Sequence, residues 1–242
     1  TLAVPVLALN QVPAVVPADN FYQFGLLPED ELQSLAQAAR RAGTVRAHIL
    51  APDTPLGERL SSALERAWAN PIAIYRYPAQ TPKVADAVVN PAPGEAALLV
   101  ADATQARILL PTLQGLNVPV YANSHIFEGI ADVRLEGVHF CDQPWLLNPA
   151  TPDLLDAATV RQQWPKLAFA QLRLWALGAD AARLVALNPA TLGTTPETGT
   201  AAHSGRLYQD TQRRIRRELA CVQFRQGWPQ PLPLGQRTAQ IR

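Results

Sequence analysis

A chain of 242 residues suffices for one large domain or two small lobes, each around an ordinary core. Its 21 lysines and arginines nearly cancel 20 acidic residues, so charge gives no reason to expect nucleic acid or an anionic membrane as partner. No run approaches the roughly 18 apolar residues of a membrane span. The sequence contains no methionine, so Thr1 is expected to follow a processed or excised segment, with any targeting signal upstream.

Residues 2–122 alternate short apolar strands with helices. "LAVPVLALN" predicts a strand ending at Asn10. "LPEDELQSLAQAARRAG" predicts a helix with Pro28 in its first turn and Glu29, Asp30 and Glu31 at the positive end of the dipole. Leu32, Leu35, Ala36 and Ala39 form its buried stripe, Arg40 and Arg41 its last turn, and Gly43 a left-handed exit. "VRAHILA" (45–51) is the next strand, and "LGERLSSALERAWA" an amphipathic helix turning Leu60, Ala63, Leu64, Ala67 and Trp68 inward. "IAIYRYP" and "EAALLVA" (95–101) follow as strands, "TQARILLPTLQGLN" as a helix bent at Pro111, and "VPVYA" as a strand. Strands alternating with helices of about a dozen residues predict βαβ units, hence an α/β fold with helices on both faces of a parallel sheet.

After "VHFCDQPWLL" the pattern changes. "TPDLLDAATVRQQW" predicts a helix with Thr151 as cap, Pro152 at its first position and Asp153 in its first turn. "KLAFAQLRLWALGADAARLVALNP" predicts further helix, broken near Gly178. A polar loop, "ATLGTTPETGTAAHSG", leads to "RLYQD" and "RIRRELACVQFRQG", read as a closing β-hairpin or strand pair, and "GWPQPLPLGQ" reads as a tail. Two α/β lobes exchanging segments account for this order better than one continuous sheet.

The chemistry is sparse. Ser124 and His125 are adjacent in a loop, where neighbouring side chains point apart. They lack a G-x-S-x-G elbow and a third residue to orient the imidazole, and "AHSG" (202–205) fails for the same reason. His48, His125, His139 and His203 show no metal-ligand spacing, and His48 and His139 fall inside strands as core or edge histidines. No glycine-rich phosphate loop follows a strand, and no cofactor is expected. The run "RRIRREL" (213–219) alternates with period 2 around a glutamate, which predicts a strand with a solvated basic face rather than a nucleic-acid surface. Cys141 and Cys221 are compatible with one disulfide in an oxidising compartment or with two buried thiols, and spacing does not decide between them.

Several phrases together carry a resemblance: "PVLALN", "FYQFGLLPEDE", "VPVYANSHIFEG…LEGVHFCDQPWLL", "LWALGADAARL" and "HSGRLYQDTQRRIRRELACVQFRQG". In order and over nearly the whole chain, they resemble the LppC-type lipoprotein family of LpoA-like penicillin-binding protein activators, in its C-terminal domain. The resemblance implies a two-lobed type I periplasmic-binding-protein-like fold, with parallel sheets flanked by helices and the first lobe incomplete at its N-terminus. A lobe lacking its opening strands would expose an apolar sheet edge, which implies disorder or proteolysis there, or a neighbouring molecule over the gap. Residues 1–20 and 143–212 would form lobe one, and residues 21–142 and 213–242 lobe two. Asp142, Gln143 and Pro144 would mark a crossing between lobes, with Trp145 to Leu147 landing in lobe one; Cys221 would lie on a strand crossing back, near Cys141 if the two strands pair.

The function implied is that of a non-enzymatic module on the periplasmic side of the outer membrane. An N-terminal lipid outside this chain would anchor it, and its partner would be a class A penicillin-binding protein stimulated in peptidoglycan synthesis. The alternative is a solute-binding protein closing on a small polar ligand, with Asn10, Tyr121, Asn123, Ser124, Asp142 and Gln143 lining the crevice. Arg213, Arg214, Arg216, Trp228 and the 193–205 loop are the candidates for a protein-binding surface.

Overall fold

The computed structural model describes residues 4–12, 18–68, 72–83, 92–147 and 156–232. Its first elements are β1 (Val6–Ala8), β2 (Phe21–Phe24), α1 (Pro28–Arg41), β3 (Arg46–Pro52), α2 (Pro55–Ala67) and β4 (Ile72–Tyr77). Then come β5 (Glu95–Leu99), α3 (Ala103–Gly115), β6 (Val120–Ala122), β7 (His139–Asp142) and the single-turn α4 (Pro144–Leu147). The remainder is α5 (Ala157–Gln163), α6 (Phe169–Leu187), β8 (Thr200–Ala201), β9 (Arg206–Gln209), β10 (Arg214–Glu218), β11 (Ala220–Arg225) and β12 (Trp228–Pro231). No helix among the described residues is long and apolar enough to cross a membrane.

The chain divides into two units: unit 1, residues 1–30 and 143–220, and unit 2, residues 31–142 and 221–242. It therefore crosses between them at 30/31, 142/143 and 220/221. The boundaries expected at 20/21 and 212/213 are displaced because β2 pairs in parallel with both β1 and β10, which keeps residues 21–30 and 213–220 in unit 1.

Unit 2 is built on a seven-stranded sheet of order β12-β11-β7-β6-β5-β3-β4. Its β3, β4, β5, β6 and β7 pair in parallel, the doubly wound arrangement in which helices cover both faces and strands become apolar runs. Ile49, Leu50, Leu98 and Leu99 are accordingly buried. The stripe of Leu32, Leu35, Ala36 and Ala39 on α1 is fully buried, and Gly43 takes φ +91° just past the helix end. Thr54 caps α2 by accepting a hydrogen bond at its hydroxyl from Gly57 N, 3.0 Å away. Gly57 is obligatory there, since a Cβ would come within 2.1 Å of the Pro52 carbonyl oxygen. A capping box starts α3: the Asp102 carboxylate accepts from Gln105 N at 2.8 Å, and the Gln105 side chain accepts from Asp102 N at 3.2 Å. The helix then runs past Pro111 to Gly115.

Two expectations for the C-terminal part are corrected. "RIRRELACVQFRQG" is not one element: β10 belongs to the unit 1 sheet and β11 to the unit 2 sheet. Residues 228–231, expected as tail, form the edge strand β12, antiparallel to β11 through a turn in which Gln226 (φ 54°) and Gly227 (φ 79°) are both left-handed. An edge strand tolerates Pro229 and Pro231 because one of its sides needs no ladder donors.

Unit 1 carries a mixed sheet of order β1-β2-β10-β9-β8, in which β9 pairs antiparallel with both β10 and β8. The expected break near Gly178 does not occur: α6 is continuous, because its buried face serves two cores. Leu177, Ala181 and Leu184 pack with Tyr22, Phe24, Leu207 and Ile215, while Leu172 and Ala176 pack with Trp145 and Val160. That burial outweighs a glycine penalty of about 1 kcal/mol. Thr151, Pro152 and Asp153, expected to open a helix, lie outside the described residues; α5 begins at Ala157 under Asp156, whose carboxylate accepts from Thr159 N at 2.8 Å.

Candidate functional site

The loop after β6 is the densest polar cluster predicted from sequence. Tyr121, on β6, is buried and stacks on His139 of β7, with ring centroids 4.8 Å apart. Burial pushes its hydroxyl above the usual tyrosine range and depresses the His139 imidazole. Asn123 is also buried, and its side-chain oxygen accepts from Ala101 N at 2.8 Å, fastening the turn that leads from β5 into α3. Ser124 opens a single 3₁₀ turn; its N–H and its hydroxyl donate to the two carboxylate oxygens of Glu31, the hydroxyl at 3.0 Å. His125 points elsewhere and is exposed. The Ser–His pair is therefore replaced by a Ser–Glu pair bridging 93 residues of sequence. The helix dipole had seemed to explain Glu31 completely, and nothing local in the sequence links it to Ser124.

Asp142 is buried at the end of β7 in unit 2. Gln143, the next residue, belongs to unit 1 and donates its side-chain amide to Arg173 O at 3.3 Å. Asn10, in unit 1, is exposed and accepts from Gln11 N at 2.8 Å. Of the six crevice residues, Tyr121, Asn123, Ser124 and Asp142 lie in unit 2 on β6, its loop and β7, whereas Asn10 and Gln143 lie in unit 1. Cys141 and Cys221, on the neighbouring strands β7 and β11 of unit 2, form a disulfide across a sequence separation of 80, a loop that consists almost wholly of unit 1 residues.

"AHSG" proves to be a buried anchor. Asp180 of α6, fully buried, accepts from His203 N at 3.0 Å, from His203 Nδ1 at 2.7 Å, from Ser204 N at 2.7 Å and from the Ser204 hydroxyl at 2.6 Å. The serine hydroxyl and the imidazole both engage this one carboxylate, so no proton relay runs from Ser204 to His203. Among the described residues no group of three or more His, Cys, Asp or Glu is placed to hold a metal ion.

The proposed basic surface is largely committed inside unit 1. Arg213 reaches Asp19 at 2.6 Å, Arg214 donates to Val12 O at 3.1 Å, and Arg216 reaches the buried Asp30 at 2.6 Å. Arg217 corrects the expectation of a solvated face: it shares the buried side of β10 with Ile215, because Ser204 O, Leu27 O and Asp30 receive its guanidinium. The 193–205 loop is likewise braced, by mutual Thr195–Thr198 hydrogen bonds and by Gly193 O accepting from Gln209 N at 2.8 Å.

Trp228 remains 49% exposed and has a neighbourhood. Buried Asp132 accepts from Arg107 of α3 at 2.6 Å and from Arg134 at 2.9 Å, and its N–H donates to Gly227 O at 2.9 Å. Burial opposes the charge, but the hydrogen bonds from Arg134 and Arg107 together outweigh it and hold the Asp132 carboxyl at about 2. This pin stiffens a loop on which Ile130 and Val133 are exposed, with Val133 lying against Gly227 of the β11–β12 turn. Rigid apolar tips with a tryptophan and the largely exposed Arg134 form a surface suited to protein contact. Trp228 was identified from sequence; Asp132 was missed, and its one signal is an acid two residues before an arginine.

Comparison with known proteins adds relationship to this geometry. A family model described as "LppC putative lipoprotein" matches residues 1–82 and 92–227. A curated relative, the penicillin-binding protein activator LpoA of Mannheimia succiniciproducens, is 28% identical over 240 residues, spanning 94% of this chain. This chain covers 41% of that relative's own length. Among solved structures, the LpoA (YraM) C-domain from Haemophilus influenzae, described as a regulator of PBP1A, superposes with a TM-score of 0.75 at 23% identity, over 94% of this chain and 74% of that one. A protein from Chromobacterium violaceum, described as a putative branched-chain amino acid ABC transporter, superposes with a TM-score of 0.72 at 28% identity, over 92% of this chain and 74% of that one.

Proposed function

The chain belongs to the LppC lipoprotein family, and from that premise we propose that it is a non-enzymatic periplasmic module that activates a class A penicillin-binding protein in peptidoglycan synthesis. The observation carrying this reading is the match to a named activator over 94% of the chain, with a superposition at TM-score 0.75 on the C-domain of a named regulator. Ser124 and Ser204, the serines that suggest chemistry, give their hydroxyls to Glu31 and Asp180, which supports a binding role. We place the module on the periplasmic side of the outer membrane, tethered through a lipid carried outside residues 1–242. The Ile130–Val133–Arg134–Trp228 surface of unit 2 is our candidate for the synthase contact. Surface plasmon resonance between the full-length lipoprotein and a purified class A synthase from the same organism tests this. Saturable binding, weakened about tenfold or more by Trp228→Ala, is expected; no binding contradicts the reading.

The likeness to a protein described as a putative branched-chain amino acid ABC transporter supports a second reading, a small polar ligand held at the unit 2 strand ends near Tyr121, Asn123, Ser124 and Asp142. The internal partners of Asn123 and Ser124 weigh against it. A thermal-shift screen with amino acids and peptidoglycan fragments decides: a saturable rise in Tm favours it, and its absence removes it.

A further inference from the structure

On the unit 1 side, all three crossings between the units lead back to one buried group, Asp180. Its carboxylate fixes the turn at His203 and Ser204 through four hydrogen bonds. The two carbonyls of that turn face different crossings. His203 O accepts from Trp145 N at 3.2 Å, two residues past the 142/143 crossing. Ser204 O accepts from Arg217 Nη1 at 3.3 Å, three residues before the 220/221 crossing. Arg217 carries the connection on to the third: its Nη2 donates to Leu27 O at 3.3 Å, and its Nε lies 3.6 Å from Asp30, the last residue before the 30/31 crossing. Asp180, Ser204, Arg217, Asp30 and Trp145 are all at least 96% buried. Nothing in local secondary structure requires this convergence, since the segments come from the first turn of α1, from α4 and from the end of β10.

We infer that the Asp180-pinned turn is the shared anchor of the three crossings on the unit 1 side, a conformational device through which they loosen or hold together. Buried hydrogen-bond networks are directional and costly to leave half-satisfied, so removing the central acceptor releases every segment that depends on the turn. The alternative is three independently held crossings, each stabilised by its own apolar contacts.

Hydrogen exchange with mass spectrometry on the whole protein separates these. In Asp180→Asn, exchange in peptides covering 27–30, 143–147 and 214–220 is expected to rise together by about tenfold, the size of effect expected when a buried acceptor is lost. Strands β3 and β5 of unit 2 serve as internal references and are expected to keep their parent rates. A rise confined to 203–205, or affecting only one or two of the segments, overturns the inference. If Asp180→Asn does not fold, Arg217→Lys gives the answer. It retains charge beside Asp30 but loses the fork to Ser204 O and Leu27 O. Exchange is then expected to rise at 27–30 and 214–220 while 143–147 stays unchanged. Unchanged exchange at 27–30, or an equal rise at 143–147, overturns the shared anchor.

Discussion

The two units hold themselves together by different means. Unit 2 packs a continuous apolar interior (Ile49, Leu50, Leu98, Leu99, Phe140, Phe224), keeps Asp132 and its arginines at a loop, and adds one disulfide. Unit 1 has shorter strands, and it buries a connected set of polar and charged groups, Asp30, Asp180, Ser204 and Arg217, among its apolar residues. A parallel sheet assembled mostly from consecutive βα units needs little beyond burial to choose its register. Segments meeting across roughly 190 residues, as Leu27 and Arg217 do, gain specificity from directional bonds that an alternative pairing would leave unmade.

The largest expected effect bears on unit 1. Asp180→Ala orphans four buried donor groups and is expected to cost about 3–5 kcal/mol in urea unfolding. A cost of about 1 kcal/mol or less would erase the contrast, making unit 1 another apolar core with incidental polar groups. Next comes unit 2: replacing both Cys141 and Cys221 by serine opens a closure of 80 residues and is expected to cost about 2–4 kcal/mol, measured in the same way under non-reducing conditions. An unchanged midpoint would mean that the apolar sheet alone suffices.

Smaller effects sharpen the picture. The Asp132 carboxyl sits at about 2 in the folded chain against an ordinary 3.8, so its contribution is complete above about pH 4 and is lost as pH falls through 2. Asp132→Asn should therefore flatten the acid limb of stability between those values, which pH-dependent thermal unfolding would reveal. The smallest change is a gain. Gly178 lies inside α6, where an added Cβ meets nothing within 4 Å, and Gly178→Ala is expected to add about 0.5–1 kcal/mol.

What could be read in advance follows the same division. The helix at 28–41 announced itself through a 3.6 period, a proline start, basic residues in its last turn and a glycine exit, all consequences of short-range geometry. The α/β alternation of unit 2 was equally local. The β10–β11 division was hidden because "RIRRELACVQF" carries no glycine or proline to mark it; in the structure the alternation of buried and open side chains shifts phase at Ala220 and Cys221, where the chain changes unit. The polar contacts had no local signature: Glu31 with Ser124, Asp180 with His203 and Ser204, and Arg217 with Leu27 are set by topology alone. Trp228 was nominated for a protein-binding surface by its residue type alone, whereas the Asp132 pin near the β11–β12 turn required the fold.

The central claim, activation of a cell-wall synthase, is tested most directly by adding the full-length lipoprotein to a purified class A penicillin-binding protein with lipid-linked substrate and following glycan polymerisation and peptide crosslinking separately. The account predicts a saturable rise in at least one of the two rates, reduced by Trp228→Ala. Rates that stay at the level of the synthase alone across a saturating range would contradict it.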